Sequence, residues 1–449
     1  MKRVWLIGVL TAMLLAAGTV PVSADPVRLL KTIAINGTAS APTTPMFSFG
    51  SSFVDPASGL YYLADRSNAA LDVIDTTGAF TGSPDTLYGQ VGGAAFAFAG
   101  AFAGDTGGTA SAGPNGVAAA YPCVFATNFN GRVISFDASK GHAFVNQIRH
   151  LFIPPGPPLP ASADQLAYDP KDGLLLAINS ADSPPFGTLI SVDKATCTLT
   201  LVGKLVFNAA LGVNATGGAG QPVWEPITQR FYLAVPEFDG DATKGGIAQI
   251  NPLAVTLLNN GVEGLYEVNY CRPSGLTVGP NGDLLVGCSA VFDTSGNICS
   301  SAVPAPSPVG TEPSHPATCT GTANPQMAIL NPGRGGVGNA LVAVSGVGGG
   351  DEVWSNSGDG NYYVTAANDP KGPEFGVIQS VTNTLRQVVP TLAPAPMVTA
   401  APGVTNAHSA GTVHSIAASA ANGHVYVPLP ANTAYPNCVQ GCIAVFGAQ

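Results

Sequence analysis

Apolar and polar positions alternate along this chain in short runs, and the same arrangement recurs about seven times. In Ala163–Asp193, ADQLAYDPKDGLLLAINSADSPPFGTLISVD, an apolar segment (QLAY) leads into a turn built on Asp169-Pro170 and Asp172-Gly173. A second apolar segment (LLLAI) follows, then a polar loop, then a third (TLISVD). Proline presets φ in the turn, glycine supplies φ > 0, and the flanking β-branched and aliphatic residues suit strands. One such unit exposes sheet faces it cannot cover, so it needs copies of itself to pack against.

Further copies stand at Phe49–Asp75, Gly113–Asp137, Gln221–Glu237, Ser274–Cys288, Asp351–Asp369 and His414–Pro430. Units begin near residues 50, 115, 164, 220, 274, 351 and 414, roughly 60 residues apart. Loop insertions, chiefly 91–113 and 290–325, account for the excess over the about 40–50 residues of common blade repeats. The pattern predicts an all-β, seven-bladed β-propeller of four-stranded antiparallel blades, one domain over 25–449. The last unit ends at Cys442–Gly447, one strand short, and the stray segment Val27–Ile35 is predicted to supply that strand and close the ring.

Composition narrows the setting. Only 10% of residues are charged, with 55 glycines and 38 prolines, which suits a turn-rich β protein and not long charged helices. A net charge of −10 disfavours nucleic acid. Lys2 and Arg3, the apolar run Val4–Ala17 and Val22-Ser23-Ala24 read as a signal peptide over 1–24, which predicts a periplasmic or secreted protein with no membrane anchor after cleavage. Eight cysteines in an exported chain predict disulfides, and by number alone allow 105 pairings. Placement on the strands favours Cys438–Cys442 and Cys299–Cys319 within single loops, Cys271–Cys288 on adjacent strands and Cys123–Cys197 on neighbouring blades. Cys438 and Cys442 lack the C-x-x-C-H spacing, so haem is not expected, and no Walker motif suggests a nucleotide.

Polar residues gather at one repeat position. Just ahead of each inner strand stand Gly50, Asn115, Asp164, Gly220, Ser274, Asp351 and His414, followed by Ser51, Gly116, Gln165, Gln221, Gly275, Glu352 and Ser415. Inner strands converge on the axis, so these residues should ring one mouth of the channel. Asn115, Asp164 and Asp351 offer hard oxygen ligands for Ca²⁺ or Mg²⁺, and His414 shifts preference toward a transition metal. One divalent cation held by these four would activate water against a lactone or ester, with Glu352 accepting a proton. Gln165, Gln221 and Ser274 would contact the ligand. A solvated channel lining, or a ligand pocket without chemistry, fits the same residues. Trp224 and Trp354 hold equivalent repeat positions and read as packing between blades.

The D-P-x-x-G turns with a following I-D or V-D resemble YVTN-type and NHL-type propellers. Gly113-Pro114-Asn115-Gly116-Val117 and Pro273-Ser274-Gly275-Leu276 are similar to segments of SMP-30/gluconolactonase-like propellers. That resemblance implies divalent-metal ligands at such Asn and Asp positions and lactonase-like hydrolysis; Ser274 stands where that family carries Asp. The expectation is therefore an exported propeller binding a small polar molecule on its axis. The rival class is a non-catalytic scaffold that holds another exported protein on its loop-rich face.

Overall fold

The computed structural model describes residues 25–35, 45–92, 113–128, 131–149, 163–256, 259–280, 282–298, 326–330, 342–367, 369, 373–391, 408 and 411–448. The signal-peptide reading, most of both insertions and the Cys299–Cys319 pairing lie outside them.

Strand β1 is Arg28–Ala34. The first sheet follows as β2 (Phe49–Asp55), β3 (Leu60–Asp65), β4 (Ala70–Asp75) and β5 (Thr86–Val91). The second is β6 (Pro114–Ala120), β7 (Cys123–Asn128), β8 (Arg132–Asp137) and β9 (Ala143–Arg149). The third is β10 (Leu166–Asp169), β11 (Leu174–Asn179), β12 (Phe186–Asp193) and β13 (Thr198–Val206). The fourth is β14 (Pro222–Glu225), β15 (Arg230–Val235), β16 (Lys244–Ile250) and β17 (Val262–Asn269). The fifth is β18 (Cys271–Val278), β19 (Leu284–Val291), β20 (Gln326–Leu330) and β21 (Val342–Ser345). The sixth is β22 (Val353–Asn356), β23 (Asn361–Ala366), β24 (Glu374–Gln379) and β25 (Thr384–Pro390). The seventh is β26 (Ala417–Ala418), β27 (Val425–Leu429) and β28 (Cys442–Gly447), completed on its outer side by β1.

All pairings are antiparallel between sequence neighbours, except that β1 lies against β28, with Arg28 opposite Gly447 and Ala34 opposite Cys442. The innermost strands pack in sequence order, β2 on β6, β6 on β10, β10 on β14, β14 on β18, β18 on β22, β22 on β26, and β26 back on β2. A ring surrounds one axis.

Apolar layers between adjacent sheets hold it. Alternate residues of β3 serve opposite neighbours: Tyr61 and Leu63 pack with Ala417 and Tyr426 of the seventh sheet, Tyr62 and Ala64 with Val117 and Val124 of the second. Period-2 alternation thus buries both faces of a middle strand. Tyr61, Tyr62 and Phe125 are fully buried, and truncating such a side chain costs about 3 kcal/mol or more. Disulfides join Cys123 to Cys197 across the second and third sheets, Cys271 to Cys288 within the fifth, and Cys438 to Cys442 on the approach to β28. Among the described residues no helix is long and apolar enough to cross a membrane.

The ring narrows where the inner strands begin. A Cβ on Gly50 would overlap the Asn115 carbonyl oxygen, and one on Gly116 that of Asp164. Glycine there lets consecutive blades meet backbone to backbone. Register shifts in β2 and β6 span these glycines, and β18 carries one across Ser274-Gly275.

Candidate functional site

The narrow mouth holds two linked sets of polar side chains. On one side the Arg66 guanidinium donates to Asn115 Oδ1, and Asn115 Nδ2 donates to Asp164 Oδ1 at 2.6 Å. Ser180 Oγ donates to Asp164 Oδ2 at 2.7 Å. Burial raises the Asp164 carboxyl, against the pull of Ser180 and Arg66.

On the other side Ser274 Oγ donates to Asp351 Oδ1, and His414 Nδ1 faces Asp351 Oδ2 at 3.1 Å. Burial alone would raise Asp351, but His414, Ser274 and Arg66 outweigh it and hold the carboxyl at about 2. Its side chain is 44% exposed, so channel water screens these interactions. Burial would likewise lower His414, and the Asp351 charge reverses that, so the imidazole is raised. His408 stacks on His414 with centroids 4.7 Å apart, and its Nε2 lies 3.0 Å from the Phe49 carbonyl, which fixes that nitrogen as the donor. Burial, then the charge of His414, push His408 down to about 3.

Between the two sets lies a floor. Gln165 Nε2 donates to Glu352 Oε1 at 2.9 Å, and Ser415 Oγ donates to Oε2 at 2.5 Å. Ser415 also meets Ser52 Oγ at 2.7 Å. Glu352 is 3% exposed. Burial raises it to about 7, despite His414 and the two donors. Gln221 stands on the same belt, its Oε1 accepting from the Leu276 N–H at 2.9 Å.

The structure therefore places all the expected residues at the mouth, but in two groups. Asn115 contacts Asp164, and Asp351 contacts His414. Among the described residues no three of His, Cys, Asp or Glu converge as a metal site. The Asn115 oxygen that would ligate a cation already accepts from a guanidinium, and both Asp351 oxygens are engaged. As arranged, these donors do not fit a metal ion, and no step is routed through one.

The sequence pattern missed Arg66, His408 and Ser180. Arg66 had a signal: with 17 Lys and Arg in 449 residues, a cation in the turn after a second strand is uncommon, and those turns open on the mouth. The packing expected of Trp224 and Trp354 is present, with a second role beside it. Both pack against interblade layers, and both also line a separate cavity at the opposite end of the axis.

No protein-family model matches the chain, and no curated protein does. Among solved structures the chain is similar to the β-propeller domain of Cps50 (Swd1) from Myceliophteria thermophila, with a TM-score of 0.55 over 94% of this chain and 100% of that one. The fold is a β-propeller. Identity to that domain is 8%, so the likeness extends to the propeller architecture alone.

Proposed function

We propose that this propeller, its seven sheets forming one ring fastened by β1, binds a small polar molecule at the narrow mouth. The observation that carries the reading is the pair of charged sets, Arg66 with Asp164 and His414 with Asp351, on either side of the Gln165–Glu352 floor. Fixed charges of both signs suit a ligand with several hydroxyl, carboxylate or amine groups. Such groups would find Arg66 as donor and, as acceptors, the second lone pairs of aspartate oxygens that each already take one hydrogen bond or ion pair. Ser274 and Gln165 already bond their neighbours, so they position the acids.

A thermal-shift panel of sugars, sugar acids, lactones and amino acids tests this. A compound that raises the melting temperature of the wild type but not of Arg66→Gln or Asp351→Asn supports it. A panel without such a compound leaves the scaffold reading, pursued by pull-down of exported proteins. Metal-assisted binding makes a distinct demand: near-stoichiometric Ca²⁺, Zn²⁺ or Mn²⁺ by elemental analysis, lost from a folded Asp351→Ala/His414→Ala variant, would replace our metal-free reading.

Hydrolysis of a lactone or ester, as the likeness to SMP-30/gluconolactonase-like propellers suggests, is a second reading. Glu352 favours it, since an acid titrating near 7 is poised to take a proton at neutral pH. Hydrolysis of a panel lactone that disappears in Glu352→Gln would support it, and equal rates in both proteins would end it.

A further inference from the structure

On the far side of the Gln165–Glu352 floor the axis opens into a cavity of 670 Å³, within the about 300–1,000 Å³ typical of small-molecule sites. Its outer rim is the face of the D-P-x-x-G turns at Pro56 and Pro170 and of the matching Glu225-Pro226 turn. Its walls are Phe53, Tyr168, Trp224, Leu276, Trp354 and Ala418. The half-buried indoles are braced by neighbouring rings: Trp354 meets Phe53, itself a wall residue, edge-on at 5.2 Å, and Trp224 meets Phe231 at 5.0 Å. Their orientation is set before any ligand arrives.

The charge inventory here is the reverse of that at the mouth. Among the described residues no Lys, Arg, His or Glu lines the cavity. Its one ionisable acid, Asp55, is committed to the turn: Ser58 N and Oγ donate to Oδ2 at 2.8 and 2.5 Å, and the Tyr121 N–H faces Oδ1 at 3.4 Å. An anion entering would lose hydration and gain no opposite charge, and a cation would meet only an Asp55 carboxylate already engaged by the turn. At the inner end Gln221 supplies a directed polar group. Leu276 N–H holds its Oε1, and Nε2 has no protein partner among the described residues, so the amide presents hydrogens to the cavity.

We propose that this chamber is a second ligand site, which takes an uncharged molecule with an aromatic or fused-ring body and an acceptor oxygen. The rings lie against Trp224 and Trp354, and the oxygen accepts from Gln221 Nε2. The site is independent of the polar mouth, because the Gln165–Glu352 floor and the Ser52–Ser415 contact stand between them.

A matched pair of fluorescent probes tests it on the full-length protein. Prodan is a neutral naphthalene bearing a ketone, and 1-anilinonaphthalene-8-sulfonate is an anion of similar size. Prodan should bind saturably at one site with blue-shifted emission, and the sulfonate should bind at least about tenfold more weakly. Thr277→Trp, which fills the cavity from a half-buried lining position, should weaken prodan by about tenfold or more. Gln221→Glu keeps the acceptor for Leu276 but replaces the donor, and should do the same. Ser355→Phe is the second filling variant, used if circular dichroism shows Thr277→Trp misfolded. Absence of saturable prodan binding would overturn the proposal, as would binding unchanged in the filled and Gln221→Glu variants. Equal affinity for the two probes would mark a non-selective apolar surface and also overturn it.

Discussion

Gln165, ahead of the third sheet's inner strand, hydrogen-bonds Glu352, ahead of the sixth sheet's, at 2.9 Å. These sheets are not neighbours in the ring, so the bond spans the axis. It divides one channel into a charged mouth and an uncharged chamber, and it places a desolvated acid at the boundary.

Glu352 should make stability fall with pH. Its folded pKa, about 7, lies above the ordinary 4.5, so the folded state holds its proton longer than the unfolded chain does. Stability therefore declines from about pH 4.5 to about pH 7 and then levels, by an amount on the order of 3 kcal/mol. Glu352→Gln should remove that slope and melt higher than wild type at pH 8, with little difference at pH 4. Thermal melts across this range check it, and a parallel offset at every pH would assign the effect to packing instead.

The Asp351–His414 pair combines both signs of pH dependence. A carboxyl held at about 2 contributes stability above its ordinary 3.8 that is lost as pH falls toward 2. The raised His414 contributes below its ordinary 6.5 and loses that contribution as pH rises through its folded value. Asp351→Asn should let burial dominate and drop the His414 pKa below 6.5. A proton-NMR titration of the imidazole reads this directly; an unchanged value would dissociate the pair.

Asp65 and Asp72 form a second acidic contact, inside the first sheet. Leu63 opposes Asp72 and Ala70 opposes Asp65, so both carboxyls lie on one face, fully buried. Burial raises both; the Asp65 charge raises Asp72 further, while a hydrogen bond from Asp72 lowers Asp65, which stands at about 6. Asp72→Asn keeps an oxygen for Gln90 Nε2 and removes the repulsion. It should stabilise by about 1–2 kcal/mol at neutral pH and much less near pH 4, as urea titrations at the two pH values would show.

The disulfides should differ in worth. Cys123–Cys197 spans 74 residues and Cys438–Cys442 spans 4. Chain entropy alone gives about 4 kcal/mol for the first and about 2 kcal/mol for the second. Paired Cys→Ala variants, compared by chemical denaturation, should keep that order.

Much of the architecture is legible because its causes are local. Asp169-Pro170 and Asp172-Gly173 mark a turn wherever they occur, and LLLAI is buried on both faces because a middle strand has a neighbour on each side. The mouth position of Asn115, Asp164 and Asp351 is legible for a similar reason, since it follows from where inner strands begin. Which of these residues touch is not. Gln165 and Glu352 are 187 residues apart, and their contact depends on the radius and tilt of the assembled ring. Arg66 reaches Asn115 from a different blade by the same geometry. Trp224 and Trp354 show the limit from the apolar side: alternation marks them as inward-facing, but whether a side chain fills a gap or borders a cavity depends on how far the inner strands have diverged.

The β1–β28 pairing carries a consequence for biogenesis. Arg28 and Gly447 are made at widely separated times, yet they are cross-strand partners. A chain emerging from a ribosome or a translocon can assemble successive blades as they appear, but β1 must wait unpaired until β28 arrives. Until then the first sheet's flank, where Tyr61 meets Tyr426, is bare. Completion thus waits until β28 has been made, and anything that stalls the chain before it leaves a sticky, open-ended arc in place of a ring.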